Sequence, residues 1–171
     1  MRRRPGLGAI VLLAGAVALL VASFLGSDGG SGGDPVTGHV VTAKVERVID
    51  GDTIEVSIDG LDEDVRYIGM DTPETVKPGT PVQCYGPEAS AENHRLVEGQ
   101  SVRLVFDAER RDDYGRLLAY VHARGRFVNA VLVRAGFART LTFPPNTDHA
   151  GLFRRLQNRA AESGRGLWGS C

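Results

Sequence analysis

Several residue types are scarce in this chain of 171 residues, and each scarcity excludes a class of protein. Aromatic residues make up 6% of the sequence, there are two lysines, and the formal net charge is −1. A protein with this charge cannot hold a polyanion by its overall charge, so such binding would need a local basic cluster or a metal ion. The lack of heptads, collagen-like periods and Gln/Asn-rich tracts excludes coiled-coil, collagen and prion-like chains. The remaining pattern is typical of a globular domain, because 42% of the residues are hydrophobic and 24% are charged.

The beginning of the chain carries an export signal. Three consecutive arginines follow the initial Met, and residues 5–27 are uncharged and mostly apolar. This order predicts a signal peptide or an N-terminal membrane anchor over residues 1–27. Both interpretations stay open, because the apolar run exceeds a signal core of about 7–15 residues and approaches the ~20 that span a bilayer. Residues 28–38 form a Gly/Ser-rich linker. The domain over residues 39–171 is therefore expected to be extracellular or on the outer face of the cytoplasmic membrane.

The domain begins with strand-like segments and ends with helical ones. Val- and Thr-rich stretches separated by Asp-Gly turn signals predict a three-stranded meander, and two more strands follow the first helix. Five strands with helices at the end predict an α+β domain, a small barrel with helices packed on it, rather than a βαβ sheet. The expected strands are Val40–Val48, Thr53–Ile58, Val65–Met70, Ser101–Phe106 and Leu117–His122. The expected helices run from Gly86 to Glu98, from Val128 to Ala135, and from a cap at Thr147 or Asp148 to an end at Gly164 and Gly166.

Two acidic clusters fall on neighbouring strands of the predicted meander. The first contains Asp50 and Asp52, and the second places Arg66 in an apolar strand with Asp71 and Glu74 at its end. Turn chemistry explains the first cluster by itself, and a structural ion pair explains the second. Taken together, Asp52 and Asp71 can converge with the backbone carbonyl that follows Asp71 on a hard, oxygen-liganded cation. Calcium is the expected ion, since no Cys or His is nearby.

A third cluster lies in the charged turn before the last predicted strand. Tyr114 and Arg116 follow two aspartates there, and the planar guanidinium of Arg116 can hold a phosphate by two hydrogen bonds, as can that of Arg66. The alternative is a solvated turn with Tyr114 as a half-buried packing residue. Two arginines, a divalent cation and a free carboxylate suffice to hydrolyse a phosphodiester, because they neutralise the growing charge and take a proton from water.

In order and spacing, these residues resemble the staphylococcal nuclease family. The resemblance covers roughly residues 40–169, and the ordered set of motifs is more specific than any one of them. It implies a five-stranded OB-fold barrel with three helices and calcium-dependent hydrolysis of DNA and RNA. The matching stretches are Ile49-Asp50-Gly51-Asp52-Thr53, Asp71-Thr72-Pro73-Glu74, Tyr85-Gly86-Pro87-Glu88-Ala89-Ser90-Ala91, Asp112, Tyr114-Gly115-Arg116-Leu117-Leu118-Ala119-Tyr120, Val128-Asn129, Leu132-Val133-Arg134 and Trp168.

The resemblance also implies roles for the acidic residues. Asp52 and Asp71 match the carboxylates that bind calcium, and Thr72 matches the residue that offers its carbonyl oxygen to the ion. Glu74 matches the residue usually proposed as the general base that acts through water. These matches make the four residues the expected metal-binding and proton-accepting part of the site.

The substrate-binding residues follow the family less completely. Arg66 and Arg116 match the phosphate-binding pair, and Tyr114 matches an aromatic residue that contacts the nucleotide. Asp113, however, stands where the best-known member has a lysine that meets a nucleotide phosphate. The loop that ends in Phe143 lacks the two tyrosines of the family's base pocket, so Phe143 is expected to supply one stacking surface. These departures place affinity and base preference in question while the catalytic set is intact.

Two functions without catalysis compete with this interpretation. One is an OB-fold module that binds nucleic acid or oligosaccharide at the cell envelope, and the other is an envelope protein stabilised by calcium. A binder would use aromatic residues and lysines along its groove, of which this chain has few. Neither alternative needs Arg66, Asp71 and Glu74 together. The expected function is an exported nuclease, a monomer whose only membrane contact would be made by its N-terminal segment.

The only two cysteines, Cys84 and Cys171, are predicted to form a disulfide. The leader places them in an oxidising compartment, where such a bond persists. The bond would join the chain just before the first predicted helix to the C-terminus, where Trp168 is expected to plug the core and hold the last helix. Two unrelated thiols remain the alternative.

Overall fold

A closed five-stranded barrel, with four antiparallel pairings and one parallel pairing, forms the body of the protein. The computed structural model describes residues 38–171, so the predicted leader and nearly all of the predicted linker lie outside the described residues. The strands are β1 (Val40–Val48), β2 (Thr53–Ile58), β3 (Leu61–Tyr67), β4 (Met70–Asp71), β5 (Ser101–Val105), β6 (Leu117–Ala123), β7 (Arg126–Phe127) and β8 (Arg139–Thr140).

The barrel closes through one parallel pairing. The strands β3, β2, β1, β5 and β6 are neighbours in that order, with antiparallel pairs throughout, and β3 then pairs with β6 in parallel. A register shift between Val45 and Arg47 in β1 marks a bulge, which lets this long strand bend around a small barrel. This strand order is that of an OB-fold, and it confirms the predicted fold class.

In the described part of the chain, four helices pack around the barrel, three long ones and one short. α2 lies against α3 and β6, whereas α1 contacts β1 and α2. The apolar side chains of the strands and of the three long helices form one core, in which Ile54, Val56, Leu104, Leu132 and Phe153 are fully buried. Within residues 38–171, no helix has both the length and the apolar composition needed to cross a membrane. The helices are α1 (Gly86–Val97), α2 (Val128–Ala135), α3 (Ala150–Glu162) and α4 (Leu167–Ser170).

The third predicted strand is wrong in its bounds. The sequence predicted one strand over Val65–Met70, but β3 starts at Leu61, ends at Tyr67, and is followed by a turn and the separate β4. The cause is Gly69, which has a φ of +81° and would place a Cβ against the ring of Phe153. This turn redirects β4 away from the barrel to pair with β8.

The predicted cap of the last long helix and the predicted core plug also differ from the structure. α3 starts after His149 rather than after Thr147 or Asp148, because the backbone N–H of Asp148 donates to the buried carboxylate of Asp107. At the C-terminus Leu167 enters the core, whereas Trp168 is half-buried with its ring 5.1 Å from the guanidinium carbon of Arg139.

Candidate functional site

Asp52 is a carboxylate buried immediately before β2. Its side chain is 1% exposed. Its Oδ2 accepts hydrogen bonds from the backbone N–H (2.6 Å) and the hydroxyl (2.9 Å) of Thr72, and its Oδ1 forms an ion pair with Arg66. A buried charge is stable only when it is paired and hydrogen-bonded, as it is here. Asp52 therefore fastens the turn before β2 to the segment that follows β4.

Arg66 brings two of the predicted metal ligands together. Its position in β3 opposite Thr53 of β2 places the side chain beside Asp52. One terminal nitrogen contacts Asp52, and the other donates to Oδ1 of Asp71 at 2.6 Å. Asp71 is half-exposed, so one of the two carboxylates faces solvent while the other faces the barrel. The carboxylates of Asp52 and Asp71 thus contact the same guanidinium group.

The donor atoms at this point suit a hard cation. Asp52, Asp71 and the carbonyl of Thr72 offer oxygen only, which is the chemistry that calcium prefers in proteins. Among residues 38–171, however, no group of three or more His, Cys, Asp or Glu side chains is arranged to hold a metal ion. An ion here would have two carboxylate ligands and would complete its shell with carbonyl oxygens and water. The residues therefore fit calcium and do not fit a zinc site.

Glu74 lies in the loop after β4 and closes a tight turn. Its Oε1 accepts hydrogen bonds from three successive backbone N–H groups, those of Thr75, Val76 and Lys77, at 2.8, 2.9 and 3.0 Å. Partial burial raises the pKa of the Glu74 carboxyl, but these bonds outweigh it and hold the pKa below its ordinary value. Glu74 is therefore ionised at neutral pH, with one oxygen committed to the loop.

Asp50 belongs to the same electrostatic environment, although the sequence pointed only to a turn. Burial raises the pKa of its carboxyl above the ordinary value, Arg66 lowers it, and the charge of Glu74 raises it further. The Oδ1 of Asp50 accepts the backbone N–H of Asp52 at 3.0 Å, and its carbonyl accepts the side-chain amide of Asn93 in α1 at 2.9 Å. The Asp-Gly-Asp spacing was the one signal that could have found Asp50, and nothing in the sequence marked Asn93.

Arg116 lies at the end of the turn before β6 and is held by Asp112. Its Nε and Nη2 both approach Oδ2 of Asp112 at 2.7 Å, and the backbone N–H groups of Tyr114 and Arg116 bond to Oδ1 at 3.0 Å. Asp112 therefore organises the turn, in keeping with an aspartate three residues before Gly115. The Arg116 side chain is about one-third exposed, so a guanidinium face remains open to solvent.

The closing pair of the barrel places the two arginines near each other. In the parallel pairing of β3 with β6, Val65 lies opposite Leu117. Arg66 is the residue after Val65, and Arg116 is the residue before Leu117. Arg66 lies opposite Leu118, so the two predicted phosphate ligands are two register positions apart at the pairing that closes the barrel.

The two predicted aromatic contacts are exposed. Tyr114 is 85% exposed, which excludes the alternative of a half-buried packing residue, and its ring centroid lies 5.5 Å from the guanidinium carbon of Arg116. Phe143 is 66% exposed in the segment after β8, a strand whose Arg139 pairs with Asp71. Both rings are available to a ligand, and neither is needed by the core.

The sequence of this chain also matches a protein-family profile and several known nucleases. The sequence profile described as staphylococcal nuclease homologue matches residues 64–170. The chain is 41% identical to the thermonuclease of Staphylococcus intermedius over 159 residues, which are 93% of this chain and 95% of that protein. It is 46% identical to the thermonuclease of Staphylococcus hyicus over 127 residues, 74% of this chain and 75% of that protein. It is 43% identical to the endonuclease YncB of Bacillus subtilis over 131 residues, 75% of this chain and 62% of that protein.

Proposed function

Because the chain belongs to the staphylococcal nuclease homologue family and is a nuclease by its relatives, we propose that it is an exported, calcium-dependent nuclease that cleaves phosphodiester bonds of DNA and RNA. The observation that carries the proposal is the convergence of Asp52 and Asp71 on Arg66, beside the turn that carries Arg116 into β6. A site with this composition can bind both a hard cation and a phosphate. The oligonucleotide- or oligosaccharide-binding module gains no support, since it does not need a buried Asp52.

Asp52, Asp71 and the carbonyl of Thr72 would hold the ion. Bound calcium would polarise a phosphoryl oxygen and neutralise part of its charge. The buried position of Asp52 and its two bonds to Thr72 fix the direction of these oxygens, so the site is organised by the fold rather than by the ion.

Arg66 and Arg116 bind the equatorial oxygens of the phosphate. A guanidinium presents two N–H groups in one plane, which matches the spacing of two phosphate oxygens. Arg66 approaches from the side of Asp52 and Asp71, whereas Arg116 is held by Asp112 in the turn before β6. As negative charge grows on these oxygens, the two guanidinium groups stabilise it.

Glu74 accepts the proton of the attacking water. Its Oε1 is occupied by three backbone N–H groups, so the proton goes to Oε2. The oxygen of that water then bonds to phosphorus, the bond to the leaving ester oxygen breaks, and the leaving oxygen takes a proton from solvent. The lowered pKa of Glu74 keeps its carboxylate ionised at neutral pH. The same lowered pKa makes the carboxylate a weaker base.

Tyr114 and Phe143 offer stacking surfaces to the bases, and Asp113 adds a negative charge beside Tyr114. Stacking is tolerant of base identity, which fits action on both DNA and RNA. The carboxylate of Asp113 repels a neighbouring phosphate, so we propose weak substrate affinity and little base preference. The protein would act as a monomer outside the cytoplasm, released or anchored by residues 1–27.

The deciding experiment is release of acid-soluble nucleotides from DNA and from RNA, with calcium and with a calcium-selective chelator. We expect release from both substrates in calcium, none in excess chelator, and recovery when calcium is restored. The Asp71→Asn variant should need more calcium for half-maximal release, while the matched Asp62→Asn variant at the start of β3 should not. Full activity in chelator would overturn the calcium assignment, and no release under any condition would overturn the nuclease.

A further inference from the structure

The predicted disulfide ends in the loop that carries Glu74. We define the Glu74 loop as residues 72–84, from the end of β4 to the residue before Tyr85. Cys84 is its last residue, and the Cα atoms of Cys84 and Cys171 lie 6.0 Å apart, a spacing that a disulfide requires. We propose that the Cys84–Cys171 disulfide is a positioning bond that holds the Glu74 loop in its catalytic geometry. This inference rests on the proposed nuclease function.

Gln83, the residue before Cys84, forms hydrogen bonds with both the carbonyl and the N–H of Glu74. The backbone N–H of Gln83 donates to the carbonyl of Glu74 at 2.9 Å. In return, the backbone N–H of Glu74 donates to Oε1 of Gln83 at 3.0 Å. Any displacement of Cys84 moves Gln83, and with it both hydrogen bonds that fix the backbone of Glu74.

The residues after Cys84 form the surface on which the Glu74 loop packs. A Cβ added at Gly86 would come within 2.7 Å of the methyl group of Thr75 and within 3.1 Å of the carbonyls of Pro73 and Glu74. The loop thus rests directly on the backbone at the start of α1, two residues beyond Cys84. Cys84 lies between Gln83, which bonds to Glu74, and Gly86, on which the loop packs. A covalent bond at Cys84 can therefore fix both contacts.

The other end of the bond is attached to the barrel. Leu167 of α4 is buried in the core, and its backbone N–H donates to the carbonyl of Gly136 at 2.9 Å. A Cβ at Gly136 would overlap the carbonyl of Arg165, so the C-terminal segment is packed tightly on the end of α2. The backbone N–H of Cys171 then bonds to the carbonyl of Leu167 at 3.1 Å. Cys171 is therefore a fixed point relative to the barrel.

The loop has few apolar contacts that could replace this bond. Val76 and Val82 are more than half exposed, and residues 76–79 and 81–84 are all exposed. Segments with few buried contacts open at low free-energy cost, so their geometry depends on local restraints. Since a misplacement of about 1 Å at a reacting group can cost roughly 100-fold in rate, a restraint at Cys84 affects turnover and not stability alone.

The test compares the wild type with the Cys84→Ser and Cys171→Ser variants, well below their melting temperatures and at saturating calcium. We expect kcat to fall by about 10-fold or more in both variants, with KM changed much less. Hydrogen exchange should become faster at the backbone N–H groups of residues 75–77 and 83, which bond to Glu74. The double variant should resemble either single variant, because both changes remove the same bond.

The control is Val102→Ala, which removes buried methyl groups from β5 and lowers stability without touching the loop. It should keep the wild-type kcat. A Cys variant that melts at a lower temperature but keeps kcat would overturn the proposal, as would two free thiols in the unreduced, unfolded wild type. If the wild type cleaves no nucleic acid, the proposed function fails, whereas unchanged exchange at residues 75–77 and 83 in the variants would separately overturn the positioning role.

Discussion

Arg66 has two acidic partners in the structure and Arg116 has one, which decides how each should respond to substitution. Arg66 pairs with the buried Asp52 and with Asp71. Removing it would leave Asp52 without a counter-charge in the barrel wall, a loss that costs about 3–5 kcal/mol of stability. Among residues 38–171, the one carboxylate that pairs with Arg116 is that of the partly exposed Asp112 in its own turn. Its substitution therefore reports on phosphate binding with little interference from folding.

We predict that Arg116→Lys lowers turnover by about 100-fold or more while the melting temperature stays within the error of measurement. Lysine keeps the charge but cannot form the planar, two-pronged contact with a phosphate. Steady-state kinetics and thermal unfolding of the same preparation provide the measurement. Arg154→Lys, on the exposed side of α3, is the matched control and should leave both unchanged. Activity of Arg116→Lys within a few-fold of the wild type would remove Arg116 from the mechanism.

Glu74 combines two roles that different substitutions can separate. Glu74→Gln keeps an oxygen that can accept the three backbone N–H groups of the loop but cannot accept a proton from water. We predict a loss of turnover of about 100-fold or more for Glu74→Gln, with calcium affinity changed much less. Glu74→Ala should lose as much turnover and also loosen the loop, as hydrogen exchange at residues 75–77 would show. Glu88→Gln in α1 serves as the control, and a Glu74→Gln variant with near-normal turnover would disprove the base role.

At the scale of elements, the turn between β1 and β2 fixes the site to the barrel. Gly51 packs so closely on Thr72 that a Cβ at this position would come within 2.6 Å of the Thr72 hydroxyl. That hydroxyl and the Thr72 N–H are the two donors to Oδ2 of Asp52. Gly51, the glycine of the Asp-Gly-Asp sequence, thus lets the turn between β1 and β2 pack directly on the segment after β4.

We predict that Gly51→Ala destabilises the protein by about 1–3 kcal/mol, the usual cost of overpacking a tight contact. It should also weaken calcium binding, because Thr72 must move and take its carbonyl with it. Calorimetric unfolding and a calcium titration would measure the two effects. In the control, Gly151→Ala, the added Cβ would meet only Arg155 Nη1 at 3.5 Å, so no loss of stability is expected. A Gly51→Ala variant as stable as the wild type would show that the contact has room to relax.

For the whole molecule, the sequence predicted those features that depend on local patterns. The first two strands of the predicted meander and the bounds of α1 and α2 follow from periodicity and turn residues, whereas the OB-fold was implied by the family resemblance. The sequence also predicted that Asp52 and Asp71 converge, because they fall at the ends of neighbouring strands. The order of the motifs along the chain makes the family recognisable from the sequence alone.

Features that depend on contacts between distant segments could not be predicted in the same way. The break at Gly69 depends on the ring of Phe153, which lies more than eighty residues further along the chain. The start of α3 depends on Asp107, a buried residue that binds both Asp148 and the hydroxyl of Tyr120. Gln83 holds Glu74, nine residues earlier in an irregular loop, by hydrogen bonds that no periodic pattern marks. The role of the leader stays a prediction, since it lies outside the described residues.

The last prediction concerns the stability of the whole domain and needs no nuclease assay. Asp52 and Asp71 pair with Arg66, and the charges of Asp50 and Glu74 act on the same site, so a bound cation should stabilise the folded state only. At a calcium concentration about 100 times Kd, the linkage amounts to about 2.7 kcal/mol, which should raise Tm by roughly 5–10 °C for a domain of this size. Asp71→Asn should remove most of this rise at the same calcium concentration, whereas Asp62→Asn should keep it. Identical melting curves for the wild type with calcium and with chelator would contradict a calcium site at Asp52 and Asp71.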